Sequence, residues 1–167
     1  VYIRQLSSDE LASRSRPFLT AAGLLSEDST AADIAYAGRA VALEQEKIGR
    51  LDETPGLVDF FFREPTIEPK AAQKWLGKPG TDTYLGALVT ALDALPDWTS
   101  AAIEEAVRST ASGLGREKGD ATHPVRVAVT GREMGPSLFD LMEVLGRETV
   151  LRRLAVALEV AGGRAHP

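Results

Sequence analysis

Hydrophobic positions in this chain recur mostly at three- and four-residue intervals, the spacing of one face of an α-helix. Ser7 and Glu10 stand in capping-box register ahead of Leu11, Phe18 and Leu19, and Gly23 follows as a stop. Pro17 interrupts this stretch, so two short helices or one kinked helix is expected. Thr30 and Asp33 open a second helix through Ile34, Ala37, Val41 and Leu43 to Ile48, with a polar end at Glu44-Gln45-Glu46-Lys47. The segment from Thr54 to Phe62 gathers three of the five phenylalanines and reads as a buried helix or strand end. Pro65, Pro69, Pro79 and Gly80 are the densest breakers, and a boundary between two packed subdomains, 1–66 and 67–167, is expected among them.

The second half is more regular. Tyr84, Leu85, Leu88, Val89 and Leu92 share one helical face up to Pro96. Thr99 can cap a helix carrying Ile103, Val107 and Leu114, which runs out among Gly113, Gly115 and Gly119. Leu138, Leu141, Met142 and Leu145 predict a short helix stopped by Gly146, and Leu151, Leu154, Ala155 and Leu158 predict a last one. Only Val125, Val127 and Val129, alternating with Arg126 and Ala128, have the period of a strand.

Composition narrows the chemistry. The 167 residues contain no cysteine, which removes disulfides, thiol nucleophiles and cysteine-ligated metals, and only two histidines, His123 and His166. No apolar run approaches the ~20 residues that cross a bilayer, and the first residues have no apolar signal-peptide core. A cytosolic, membrane-free protein is expected. The net charge of −5 speaks against a nucleic-acid binder on average. The charge is uneven, however. From Ala121 onward six arginines (126, 132, 147, 152, 153 and 164) face five acids, against 13 basic and 19 acidic groups before it.

Catalytic signatures are missing. Gly113, Gly115 and Gly119 do not have dinucleotide-loop spacing and follow a helix, so they read as a helix C-cap. There is no phosphate-binding G-x-x-x-x-G-K-[ST], H-E-x-x-H or G-x-S-x-G pattern. His123, before Pro124, reads as a surface or capping histidine, and Glu44/Glu46 and Glu104/Glu105 as solvated helix faces. No catalytic residue and no metal ligand is assigned.

One segment stands apart, His123 to Leu154. An arginine, Arg126, lies inside an apolar run; a Gly131…Gly135-Pro136 loop leads into Leu138-Phe139; an L-G-R-E-x-x-L-R-R-L helix follows. A Gly-Pro loop ahead of an aromatic can present backbone groups and a ring to an unstacked base.

These blocks resemble the C-terminal anticodon-binding region of bacterial-type glutamyl-tRNA synthetases. The likeness begins at Tyr2-Ile3-Arg4 and includes Arg16-Pro17-Phe18-Leu19, Ala22-Gly23-Leu24 and Asp97-Trp98-Thr99. It is strongest in Pro124–Gly131, Gly135–Phe139, Leu145–Glu148 and Arg152–Leu154. The resemblance implies an all-α cage of two helical subdomains that follows a class I catalytic domain and grips the anticodon stem-loop of tRNA(Glu). It also implies that Val125–Val129 is helical despite its period. The family's H-I-G-H and K-M-S-K-S-type ATP signatures are absent, so this chain is expected to be the recognition part of a longer enzyme. The catalytic domain outside it would bind ATP and Mg²⁺ and ligate glutamate to the tRNA. Motif by motif, the resemblance implies tRNA contacts for Lys47, Arg108, Arg126, Gly135, Pro136, Leu138 and Phe139. Lys47 departs from the arginine that members commonly carry there, replacing a planar fork with a flexible point donor. On the residues alone, Leu138 and Phe139 can equally be core, and Arg108 a solvated helix residue. A stand-alone helical protein-interaction module is the alternative reading. DNA is not an expected partner.

Overall fold

The computed structural model describes residues 2–163, so Arg164 and His166 lie outside the described residues. Every regular element among them is helical. Contacts divide the chain into two compact units that meet in sequence at Glu64 and Pro65.

In the first unit, α1 (Ser8–Ala21) and α2 (Ala31–Glu44) both start on complete capping boxes, Ser7 with Glu10 and Thr30 with Asp33. In each, the N-cap side chain accepts from the backbone three residues on, and the carboxylate accepts from the N-cap N–H. The two helices pack so closely that a Cβ on Gly38 would lie 3.3 Å from Ala12 Cβ. Pro17 neither splits nor ends α1, which continues through it to Ala21. The second helix stops at Glu44, four residues short of Ile48. Next, α3 (Thr54–Val58) and a 3-10 turn (Asp59–Phe61) bury Phe60 and Phe61, and the Tyr36 hydroxyl donates to the Phe61 carbonyl at 2.6 Å.

The second unit opens with a short α4 (Pro69–Ala71) that widens into a π-helical turn, Ala72–Leu76. Behind it, α5 (Thr81–Asp93) contributes Tyr84, Leu85, Leu88 and Leu92 to the core, and α9 (Arg147–Ala161) contributes Val150, Leu154 and Ala157. The buried face of α9 thus lies one residue off the expected one: Ala155 is exposed and Leu151 only half-buried. Thr99 caps α6 (Ser100–Gly113) through the Ala102 N–H, and Leu114 falls beyond the helix end, 46% exposed. In α8 (Leu138–Leu145) all four predicted apolar residues are buried, and its Met142 carbonyl accepts from Trp98 Nε1 at 3.0 Å.

The strand-like valines belong to α7 (Gly119–Thr130). Its neighbours α6, α8, α9 and the π-turn pack around it, so Val125, Val127, Ala128 and Val129 are all buried and the two-residue period carries no face information. Pro124 lies inside this helix and has no N–H for the Asp120 carbonyl. Arg116 Nε donates to that carbonyl instead, at 3.1 Å.

Candidate nucleic-acid interface

In α7 Arg126 is half-buried between the buried Val125 and Val127, and it turns toward the loop that follows the helix. Arg126 Nη1 donates to the Pro136 carbonyl at 2.7 Å, tying the helix to the far end of the 131–137 loop. A Cβ on Gly135 would stand 3.0 Å from the same nitrogen, so any side chain there presses on the guanidinium. The loop's near end is fixed as firmly. Gly131 stops α7 with φ +77°, and its carbonyl accepts from Glu68 N–H at 3.1 Å. A Cβ on Gly131 would overlap the Thr66 carbonyl oxygen. Thr130 Oγ1 accepts from Arg132 N–H at 3.1 Å and donates to the Arg126 carbonyl at 2.8 Å. Between these anchors Met134 projects, 79% exposed.

Beyond Pro136 the chain enters α8. Leu138 is buried with Pro136 and belongs to the core, whereas Phe139 is half-exposed. The Arg108 guanidinium on α6 lies 5.7 Å from the Phe139 ring centroid, within cation–π range, and its Nε contacts Glu104 at 2.8 Å. Ser100 Oγ, donating to Asp140 at 2.8 Å, ties the same two helices together. Arg108, Arg126, Gly135, Pro136, Leu138 and Phe139 therefore converge at the α6, α7 and α8 end of one unit. Lys47 lies in the other unit. Its ammonium is 3.7 Å from Glu44 Oε2, on a carboxylate that is almost wholly buried.

Sequence assigns no site role to four residues of this neighbourhood. Met134 lies inside a motif without a signal of its own. Trp75, His123 and Glu133 form a cluster whose members are up to 58 positions apart, and no sequence spacing announces such a contact. Trp75 Nε1–H donates to Glu133 Oε1 at 2.5 Å, and Lys74 Nζ stands 3.3 Å from the same oxygen. The indole bond first, then the Lys74 ammonium, hold the Glu133 carboxyl below the usual glutamate range, so it is charged at neutral pH. His123 is neither a surface nor a capping residue: it is half-buried inside α7 and stacks on Trp75, ring centroids 4.3 Å apart at 17°. Across this cluster the Lys78 ammonium bonds Asp120 at 2.7 Å and lowers its pKa, with Arg116 and His123 helping.

Guanidinium donors and a partly exposed ring beside a loop bonded at both ends can stack on and hydrogen-bond a planar group such as an unstacked base. Among the described residues no group of three His, Asp or Glu side chains could hold a metal ion.

Residues 10–158 match the family model described as "Anticodon binding domain". The chain is 43% identical to a glutamate–tRNA ligase of Acidothermus cellulolyticus, over 97% of this chain and 33% of the relative. It is 38% identical to that of Moorella thermoacetica, over 92% of this chain and 31% of the relative. The fold is similar to a crystal structure of a glutamate–tRNA ligase from Elizabethkingia meningosepticum in complex with its amino acid. That likeness has a TM-score of 0.81 at 26% identity and covers 95% of this chain and 30% of the other. The chain thus spans about a third of the length of the curated relatives it matches.

Proposed function

The chain belongs to the anticodon-binding domain family, and on that premise we propose that it reads the anticodon loop of tRNA(Glu) within a glutamate–tRNA ligase. The convergence of Arg108, Arg126, Phe139 and a braced loop in the second unit carries this reading. Sequence-specific RNA recognition targets unpaired bases through stacking surfaces and hydrogen-bond donors. Phe139 offers a ring worth about 1–3 kcal/mol per stacked base, reinforced by the Arg108 guanidinium. Arg126 and the backbone at Gly135 and Pro136 offer polar groups at fixed positions beside it. Leu138 acts from beneath, as the core residue that seats the first turn of α8. In the first unit Lys47 supplies a point donor for a further anticodon base, with less geometric discrimination than an arginine fork.

Glutamate activation with ATP and Mg²⁺, and transfer to the tRNA, belong in this proposal to a catalytic domain on the same polypeptide, working in the cytoplasm. The family match does not favour a stand-alone protein-interaction module. The decisive experiment titrates this chain with a stem-loop carrying a glutamate anticodon and with a scrambled loop, at two salt concentrations. The cognate loop should bind more tightly, with a modest salt slope. Arg126→Ala should lower that affinity about tenfold or more, the range for losing a base-reading arginine. Equal binding of both loops overturns the reading.

A further inference from the structure

The 131–137 loop is held by its backbone at Gly131, Arg132 and Pro136, and by the Glu133 side chain in its middle. We propose that Trp75 is a positioning residue for the reading loop, latched by its indole N–H to Glu133. This rests on the anticodon reading above and concerns how the loop is held ready.

Four observations support the assignment. First, Glu133 Oε1 accepts from Trp75 Nε1–H at 2.5 Å, immediately beside the exposed Met134. Second, Trp75 is itself immobilised. Only 9% exposed, it stacks on His123 and its carbonyl accepts from Thr81 Oγ1 at 3.3 Å. Third, the circuit closes on one helix. His123 and Arg126 lie three residues apart on α7; His123 braces Trp75 while Arg126 holds Pro136. The loop is therefore tied to α7 at two points along its length. Fourth, both latch groups, Lys74 and Trp75, come from the π-helical turn, a conformation often found at functional positions.

The latch has two physical consequences. A loop already held in its bound conformation loses less entropy when it meets RNA. An ionised Glu133 in an RNA-facing loop would also repel phosphates, and the indole dipole with the Lys74 ammonium at 3.3 Å offsets that charge.

The test is a set of substitutions read by affinity for the cognate anticodon stem-loop and by hydrogen exchange of the Trp75 indole N–H. Trp75→Phe keeps a ring on His123 and deletes the donor. Glu133→Ala deletes the acceptor at a half-exposed site, so it serves if the tryptophan variant melts early. Glu133→Gln keeps a carbonyl acceptor. Each of the first two should weaken binding about fivefold, the order of one ordinary hydrogen bond's net contribution. The double variant should be no weaker than either single, because both remove the same contact. Glu133→Gln should restore near-native affinity and indole protection. Native affinity in Trp75→Phe, additive losses in the double variant, or a Glu133→Gln as weak as Glu133→Ala would each overturn the latch. If the unaltered chain shows no cognate preference, the anticodon reading fails instead; rapid indole exchange in that same protein would overturn the latch separately.

Discussion

Arg152 and Arg153 adjoin in one motif, yet their environments are opposite. Arg152 is exposed, whereas Arg153 is 4% exposed and its Nη1 donates to the Val129 carbonyl at 2.6 Å. Val129 lies in the last turn of α7, where carbonyls have no partner within the helix. A buried guanidinium from α9 therefore caps the helix that carries Arg126. Arg153→Ala should cost about 2–3 kcal/mol in urea unfolding, through a buried carbonyl left unpaired and the packing lost. Leu138 and Phe139 separate in the same way. Either could have been core by sequence, and the structure buries one and leaves the other half-exposed beside Arg108.

Elements here are set by their ends as much as by their faces. The capping boxes that start α1 and α2 were legible because they depend on residues three apart in sequence. The end of α7 was only half legible. The sequence marks Gly131 as the start of a loop, but its place as the stop of α7, its close approach to Thr66 and its bond to Glu68 are tertiary. Gly131→Ala should be more severe than an ordinary cap change. The left-handed φ alone costs about 1–2 kcal/mol for a residue with a Cβ, and displacing the 66–68 segment should bring the total to about 2–3 kcal/mol. Thermal melting checks the stability, and the same variant should bind the cognate stem-loop less tightly because the loop begins at this residue. The valine alternation in α7 shows a different limit. Period reports on burial pattern, and a helix packed on most sides loses the polar stripe that marks its 3.6-residue repeat.

Across the molecule the charge of −5 is an average that includes locally paired groups such as Lys78 with Asp120 and Arg108 with Glu104. Among the described residues several carboxylates are held below their ordinary range, Glu10 and Asp33 by their capping boxes, Asp120 by Lys78, and Glu133 by Trp75 and Lys74. A carboxyl whose folded pKa is depressed stabilises the fold above its unfolded pKa, and that contribution is lost as pH falls through the folded value. Stability should therefore hold from neutrality down to about pH 4–5, the ordinary carboxylate range, and decline below it. Melting temperatures measured from pH 7 to pH 3 check this; a profile flat across the acid range would contradict it. Glu133→Gln should flatten part of the decline, since it removes one of these titrating groups.

The sequence by itself determined the all-helical class, the two helix-starting boxes, most helix stops and the family to which the blocks from Pro124 to Leu154 belong. Each of these depends on residues that are near neighbours in the chain or on a motif kept in order. Tertiary structure alone decided which motif residues face outward, that His123 stacks on Trp75, and that Glu133 ties the loop to a tryptophan 58 positions away. Contacts at that separation are set by how helices pack, and packing depends on the whole set of buried side chains rather than on any local pattern.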